Sequence, residues 1–559
     1  MLDESLGRSE RRATAIVLVV LGVETIWAFL HRYFSLDASM WTLHIDLMHR
    51  HLAGIRGDGW KVIPYPAANT LIPLVSSLAA FFLNSEVVAR LLIALVGIFG
   101  RGAAALIVMR VLRVRDEGVY YLIPVFVFSG LWFSGALPFM AGEMFALLTL
   151  AMLLAQYQPR SRAYWMLTAG FTMTALCSGL AFIVALLAIF FVTNEQRRSV
   201  HLSQGWLSSP RAVFGLALPG IAVCILSAFA RAPLFALSTS GLLPQNGVGF
   251  LFFCATPVPA VLEAMLRGTS VFQIVIAASV WIIVFGFAAR ALLLAIEEVT
   301  WQSRTLKSTA VMLIVLAIAG IWISVLRLDT PALFGTAVIL LMAGSYSRGP
   351  AVRRTMLDRV LLTCSVVAMV VTGLFNAFAI NRGSDAATDV VHRSRALVQE
   401  ARRNAQSDEH LDSLHIAVVL DSALAQANAA DVIATFSYSY SAPLYLLQES
   451  DQLGDARAMQ PLNGGMQWAP DPARMLPLQP MSRTSATAPI VFASITDYTH
   501  PAFRVLTSLT TGTSRTSSFG PEQFHIADTL GTTFAFGAAQ FRLLEGHLSA
   551  AEATGLASR

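Results

Sequence analysis

From the N-terminus to about position 380 the chain is a succession of apolar runs, each near the ~20 residues that a helix needs to cross a bilayer. Polar breaks separate them, and arginines cluster at the breaks. Arg8, Arg11 and Arg12 precede the run from Ala13 to Leu30, which by the positive-inside rule starts the first helix in the cytoplasm and sends it outward. That run is longer than the apolar core of a signal peptide and no small-x-small cleavage site follows it, so it reads as a retained span. The stretch from His31 to about Ser85 is rich in polar residues and reads as an external loop. Inside it, Thr70 to Leu83 is apolar but too short for a comfortable crossing, which predicts a helix lying in or dipping into the interface. Val87 to Met109 then runs inward and delivers Arg110, Arg113 and Arg115 to the cytoplasm.

The same register carries on along the chain. Tyr120 to Ala136 goes out and Phe139 to Ala155 returns. Tyr164 to Leu176 and Leu180 to Val192 form a tight pair, and Val213 to Ala230 exits. Val271 to Leu294 re-enters, Thr309 to Val325 exits, Ala332 to Met342 returns, and Val360 to Ala379 exits. The expected fold is a polytopic α-helical membrane protein with about eleven spans. Its transmembrane domain covers 1–380, with external loop 1 at 34–85, and a soluble extracytoplasmic α/β domain covers 381–559. In that domain Ala387 to Gln406 reads as a polar helix. His415 to Asp421, Asp431 to Tyr440, Pro489 to Tyr498 and Phe503 to Leu509 read as β-rich runs.

Composition sharpens this picture. With 55% of its 559 residues hydrophobic, 13% charged and a mean hydropathy of +0.63, the chain is not an ordinary soluble globule. The net charge of +5 arises from arginines at span ends, so it reports topology and gives no reason to expect a nucleic-acid partner. The four cysteines, Cys177, Cys224, Cys254 and Cys364, lie in or beside apolar segments and form neither a disulfide framework nor a CxxC pattern.

Ionisable groups at membrane depth are costly, so each needs a reason. The clearest is Glu143, in PFMAGEMFALLTLAMLLA, near the external end of its span; the plain alternative is a carboxylate reaching the surface. Loop 1 is denser. In FSLDASMWTLHIDLMHRHLAG, a helix beginning near Asp37 carries Asp37, Trp41 and His44 along one flank, and Asp37 also suits the N-cap of that helix. His44, Asp46, His49 and His51 match neither HExxH nor a spaced carboxylate array, so no metal site is assigned. Asp421, Asp497 and His500 follow strand-like runs and read as turn residues.

The order of features in loop 1 carries a resemblance. An acid just outside the first span is followed by a helix leading to Gly54, then by Tyr65-Pro66 before a short apolar helix, then by NSEVVARLL with Ser85, Glu86, Arg90 and Leu91. This order resembles the GT-C glycosyltransferases, in the branch of the protein O-mannosyltransferases and lipid A aminoarabinose transferases. SGALPFMAGEMFALLTLAMLLA looks like the family's second acidic segment, with Glu143 where Asp is usual, and LTAGFTMTALCSGLAFIVALLAIFFV looks like its paired short helices. The resemblance covers about positions 13 to 195. The chain departs from the pattern where Ala38 follows Asp37 in place of a second acid, where Ala67 follows Pro66, and where Cys177, Ser178 and Gly179 replace Lys-Gly.

The resemblance implies transfer of a sugar from a polyprenyl-phosphate-linked donor to an envelope glycan, lipid or protein acceptor, on the outer face of a bacterial inner membrane. It makes Asp37 the base and gives Glu143 and Asp46 the task of orienting the acceptor or a bound cation. His44 and Tyr65 join the substrate-binding set, and Arg90, Arg231 and Arg382 are the arginines able to grip the phosphate. No cofactor is required, and there is room for a divalent cation. The contrasting expectation is a non-catalytic membrane scaffold, or a polysaccharide flippase or export component, that keeps the same helix layout.

Overall fold

The structure is a computed structural model. It describes residues 2–31, 38–54, 60–62, 68, 70–114, 116–127, 137–155, 161–198, 210–229, 279, 282–283, 286–287, 290, 301–322, 330–346, 356–404, 415–420, 441, 445, 478–480, 490–496, 524–536 and 539–548. Four helical stretches among these are long and apolar enough to cross a membrane: Ser9–Leu30, Ser85–Val111, Leu137–Leu154 and Met356–Leu374. Glu117–Val127, Gly179–Glu195, Phe214–Ser227 and Thr336–Ser345 are shorter apolar helices.

The first helix, α1 (Leu2–Leu30), leads into α2 (Ala38–Leu52). α2 closes on Gly54, whose φ of 74° is the left-handed conformation that ends helices and that glycine adopts without strain. Strand β1 (Trp60–Val62) and helix α3 (Leu71–Ala79) follow. At nine residues α3 spans about 14 Å, so it does not cross, as its short apolar run implies. Asn84 then caps α4 (Ser85–Ala94), its side chain accepting the Glu86 N–H at 2.8 Å. α4 continues through one π-helical stretch, Leu95–Gly100, into α5 (Arg101–Val111).

α6 (Glu117–Val127) and α7 (Leu137–Leu154) come next, then α8 (Ser161–Cys177) and α9 (Gly179–Arg198), which are parted only by Ser178. α10 (Pro210–Phe229), α11 (Trp301–Trp322) and α12 (Thr330–Ser345) complete the set before the long α13. α7 is the central helix, packed on α5, α8 and α9, with 78% of its apolar window buried. The corresponding shares are 28% for α1 and 22% for the apolar part of α13, so these two helices lie at the periphery and turn exposed Val19, Val23, Val367 and Val370 outward. In a bilayer that is the lipid-facing pattern.

Polar contacts sort the helix ends into two groups. At one end Arg90 of α4 reaches the Phe29 carbonyl of α1 at 3.4 Å. There the Thr70 N–H donates to Leu176 O at the end of α8 at 3.0 Å, and the Ala68 N–H donates to Ser227 Oγ of α10 at 2.6 Å. At the other end Arg290 bridges Asp116, at 2.5 Å, and Asp358 at the start of α13, while its guanidinium lies 5.7 Å from the Tyr346 ring centre. Burial pushes the Asp116 carboxyl above its ordinary range, and Arg290 opposes the shift. Glu195 of α9 pairs with Arg304 of α11 at 2.7 Å at the same end. The ends of α8 and α10 thus meet loop 1 through Thr70 and Ala68.

α13 (Met356–Asn404) is unbroken for 49 residues, about 73 Å, more than twice the thickness of a hydrocarbon core. The last apolar run and the polar helix expected after it are one element, and the 380/381 division falls inside it. The reason is continuity: Ala387, Val390, Val391, Leu397 and Val398 extend a buried stripe beyond the apolar segment. That stripe packs on a four-stranded sheet of order β2-β4-β6-β5, formed by β2 (His415–Leu420), β4 (Ile490–Thr496), β5 (Phe524–Phe536) and β6 (Ala539–Leu548). β2 and β4 are parallel and the remaining pairs antiparallel. The Glu400 carboxylate accepts a hydrogen bond from Thr532 of β5, and the Arg393 guanidinium stands 5.9 Å from the Phe534 ring centre. The runs at 431–440 and 503–509 lie outside the described residues.

A second, two-stranded sheet joins β1 of loop 1 to β3 (Leu478–Pro480), antiparallel, with Lys61 opposite Gln479. Antiparallel partners hold their Cα atoms about 4.5–5.5 Å apart, within reach of a disulfide. The double variant Lys61→Cys/Gln479→Cys is therefore expected to form an oxidant-dependent link, seen as two joined fragments after cleavage between the positions.

Close packing around α7 gives a second expectation. A Cβ on Gly142 would stand 2.7 Å from Ala181 Cβ and 3.2 Å from Ser178 Cβ, neither of which can swing away. A Cβ on Gly100 would meet the end of the flexible Met144 side chain. Gly142→Ala should lower the unfolding midpoint in detergent by the equivalent of about 1–3 kcal/mol, and Gly100→Ala by clearly less.

Candidate active site

Loop 1 builds its polar cluster on α2. Ala38, Trp41, Thr42, Leu43, Ile45, Asp46 and Met48 of α2 are buried, and the helix packs against α3 and α4. Asp46 accepts from Arg50 Nε at 2.6 Å, one turn on, and from Ser85 Oγ at 3.4 Å. Ser85 is the first residue of α4, so this bond fixes α2 to the entry of that helix. One turn along α4, Arg90 sits 3.7 Å from Glu86 and lays its guanidinium 5.4 Å from the Phe29 ring centre. His49 stacks edge-on against Phe81 at 4.4 Å, and its Nδ1 is buried without a hydrogen-bond partner.

Of the residues singled out from the sequence, Asp46 and Arg90 are thus brought to one end, both resting on the first turns of α4. Asp37, Tyr65 and Arg231 lie outside the described residues, although the helix expected to begin near Asp37 starts at the next position, Ala38. His44 is on α2 and Arg382 on α13, with side chains outside the description. Among the described residues no three His, Cys, Asp or Glu side chains are grouped as metal ligands.

Glu143 belongs to a different locus. It is 2% exposed, and its Oε2 accepts from Arg101 Nε at 2.6 Å while Oε1 accepts from Thr336 Oγ1 at 2.7 Å. Arg101, 3% exposed, also donates to the Val127 carbonyl at 3.2 Å. Arg101 lies sixteen residues beyond Ser85, or about 24 Å of helix. Glu143 is therefore deep in the bundle, both oxygens engaged, and its partner is well separated from the Asp46 cluster. It neutralises a buried arginine, and with Thr336 the pair ties α5, α7 and α12 together.

Sequence reasoning passed over Arg101 and Thr336. A lone arginine between two glycines in GIFGRGAAALIV, mid-way along an apolar run, is a signal for a buried counter-ion. Thr336 offers no such signal, since threonines in spans more often bond their own helix, as Thr149, Thr168 and Thr372 do here.

The elements described so far define a mostly helical protein with four candidate membrane spans, whose first loop is strand-paired to the C-terminal part of the chain. No family model and no curated protein matches the chain. It is similar over nearly its whole length to solved structures that include the arabinofuranosyltransferase AftD from Mycobacteria, with 14% identity, a TM-score of 0.48 and 96% of this chain covered. This chain spans 40% of that protein's length. It is also similar to ArnT from Cupriavidus metallidurans bound to undecaprenyl phosphate, with 12% identity, a TM-score of 0.33, and 95% of this chain and 97% of that one covered. For ArnT in the apo state the values are 13% identity, a TM-score of 0.34, and 96% and 98% coverage.

The buried pair yields its own prediction. Removing one partner strands the other charge in an apolar interior, so Arg101→Met is expected to cost about 3–5 kcal/mol of stability. The double variant Arg101→Met/Glu143→Leu removes both charges and should recover most of that loss. Unfolding midpoints of the single and double variants in one detergent decide the matter, and equal losses would show that the pair is not what couples these helices.

Proposed function

We propose that the chain is an integral-membrane glycosyltransferase of the GT-C type, acting on the extracytoplasmic face of a bacterial inner membrane. Its donor is a sugar linked to a polyprenyl phosphate, and its acceptor is an envelope glycan, lipid or protein. The observation that carries this reading is the build of loop 1. An acid directly precedes a helix that packs against α3 and α4 and closes on a left-handed Gly54. A short non-spanning α3 follows, and then Asn84-capped α4, whose Ser85 and Arg90 bind α2 and α1. These described parts of loop 1 follow the order of features on which the GT-C resemblance stands, and that order supports the reading.

In the proposed reaction the acceptor hydroxyl attacks the anomeric carbon from the face opposite the phosphate. Asp37 takes the hydroxyl proton, the new C–O bond forms, and the bond from carbon to phosphate oxygen breaks with its electron pair leaving on the phosphate. A carboxylate next to the first residue of α2 is favoured in its ionised form by the helix N-terminus, as a base must be. Asp46 orients the acceptor while Arg50 and Ser85 hold its carboxylate in place, and His44 and Tyr65 complete the binding surface. Arg90, Arg231 and Arg382 are the cations for the phosphate leaving group. Glu143 serves indirectly, holding α7 against α5 through Arg101. A divalent cation is compatible with this scheme and not required by it.

The orientation follows the same reading. Glu24 and Trp27 of α1 meet Gly373 and Ala377 of α13 in that order, so α1 and α13 run in the same direction. In this reading, with the N-terminus cytoplasmic, the terminal domain is on the outer side with loop 1, and the β1–β3 pairing supports a part for it in receiving the acceptor. The test is a deletion strain complemented with wild type or Asp37→Asn, followed by compositional analysis of its envelope glycans. The variant should reach the membrane at the parental level yet lose transfer by at least about 100-fold. Full restoration by Asp37→Asn would remove the proposed base and the reaction with it.

A further inference from the structure

At the end of the bundle away from loop 1, α5 closes in a way that its own residues do not favour. Leu112 is its C-cap, the Arg113 N–H donates to Arg110 O at 3.0 Å, and the Val114 N–H donates to Met109 O at 3.0 Å. These two bonds make a Schellman motif, in which the residue after the cap is left-handed and usually glycine. Here it is Arg113, with a φ of 53°, the one non-glycine residue at positive φ among the described residues. An L side chain resists that conformation, so glycine would form the turn with less strain. Packing does not offset the strain, because the Arg113 side chain is exposed. Strained backbone that holds a charged group out to its surroundings is characteristic of ligand contacts.

Three more exposed arginines stand around the same place, the first turns of α6. The Tyr120 hydroxyl of α6 donates to Val114 O at 3.0 Å, next to Arg113, and lies within electrostatic reach of Arg110. Arg12 of α1 is within such reach of Tyr121. Asp116 caps α6 by accepting the Gly118 N–H at 2.9 Å, and it shares Arg290 with Asp358, whose neighbour on α13 is Arg359. Arg12, Arg110, Arg113 and Arg359 are all exposed, and no ion pair among the described residues includes any of them. The acids at this level are Glu10, Asp116, Glu117 and Asp358, and Arg290 holds both aspartates.

Apolar surface adjoins these charges. α6 is buried from Gly118 to Val127, and the helices α1 and α13 that pack on it are the least buried of the four candidate spans. Met356, Leu357 and Val360 are exposed on either side of Arg359, and Val19 and Val23 continue the apolar surface along α1. Guanidinium groups at the end of such a surface match a lipid whose phosphate meets the arginines while its acyl chains lie along the helices.

We propose that Arg12, Arg110, Arg113 and Arg359 form a binding site for the headgroup of an anionic phospholipid. Each guanidinium can donate two parallel hydrogen bonds to phosphate oxygens. The four exposed arginines outnumber Glu10 and Glu117, the acids that Arg290 does not hold, so the site selects a headgroup of net negative charge over a zwitterion. Arg90, named above for the leaving phosphate, stands twenty residues before Arg110, about 30 Å back along the same helical run. The inference does not depend on sugar transfer.

The full chain in phosphatidylcholine nanodiscs tests the site, with phosphatidylglycerol added in increasing mole fraction at constant ionic strength. A saturable rise in Tm of about 2–4 °C is expected for the wild type. Inorganic phosphate added to phosphatidylcholine nanodiscs should give no rise, since the free ion lacks acyl chains. The lipid response should fall by at least about half in Arg113→Gly and vanish in Arg110→Gln/Arg113→Gly. It should persist in Arg211→Gln, which neutralises an exposed arginine at the start of α10. Arg113→Gly relieves the left-handed turn, so its Tm in phosphatidylcholine alone should match or exceed that of the wild type, which separates a lost response from a folding defect. A wild type unmoved by phosphatidylglycerol overturns the site. So does a response that survives in the double variant, is lost equally in Arg211→Gln, or is reproduced by inorganic phosphate.

Discussion

A guanidinium and a carboxylate buried mid-bundle are the constraint around which the other helices are arranged. Lipid tails are as apolar as leucine, so the hydrophobic effect gives helices in a bilayer little reason to choose one register over another. Arg101 and Glu143 supply the reason. Each is too costly to leave unmatched, and they meet at 2.6 Å only when α5 and α7 are aligned at that level. Thr336 extends the requirement to α12, and the Val127 carbonyl extends it to α6. The flanking glycines make this approach feasible: a Cβ on Gly102 would strike Leu21 of α1, and one on Gly142 would strike Ala181 of α9. The π-helical stretch ends at Gly100, one residue before the arginine, and its extra residue per turn resets which face α5 presents.

With the middle of the bundle fixed, loop 1 acts as a lid joined to several helix ends at once. It takes the Leu176 carbonyl of α8 and the Ser227 hydroxyl of α10, while Arg90 of the adjoining α4 takes the Phe29 carbonyl of α1. The lid continues through β1 into a backbone ladder with β3, and α13 returns beneath it. Loop 1 is thus tied both to helix ends of the bundle and, through β1–β3, to the C-terminal part of the chain.

The parts of this arrangement that were legible in the sequence are those governed by local rules. Length and apolarity separated the non-spanning α3 from the helices around it, an αL glycine ended α2, and Asn84 and Ser85 marked the entry of α4. β2 and β4 were visible as short β-rich runs, whereas the β5–β6 hairpin was not, since Gly531 and a mixture of polar residues interrupt its pattern. The continuity of α13 was hidden for another reason: hydropathy drops at Asn381 while helical periodicity does not, and a reading by hydropathy breaks the helix there. Pairings were the least legible. Nothing in one sequence says that Arg101 belongs to Glu143, 42 residues away, or that Glu24 faces Gly373.

The three acids considered for chemistry, Glu143, Asp46 and Asp37, differ in kind. Glu143 is buried and has given both oxygens to donors from other helices, one of them the guanidinium of Arg101. A general base must accept a proton at each turnover and release it to solvent, which a group so held does poorly. Asp46, with Arg50 and Ser85 upon it, is better suited to holding position than to exchanging protons. Asp37 differs in its place along the chain, between the last turn of a peripheral helix and the first residue of an amphipathic one. In the proposed reaction that position in the sequence gives Asp37 the part of the base, whereas Glu143 and Asp46 are each held by other side chains.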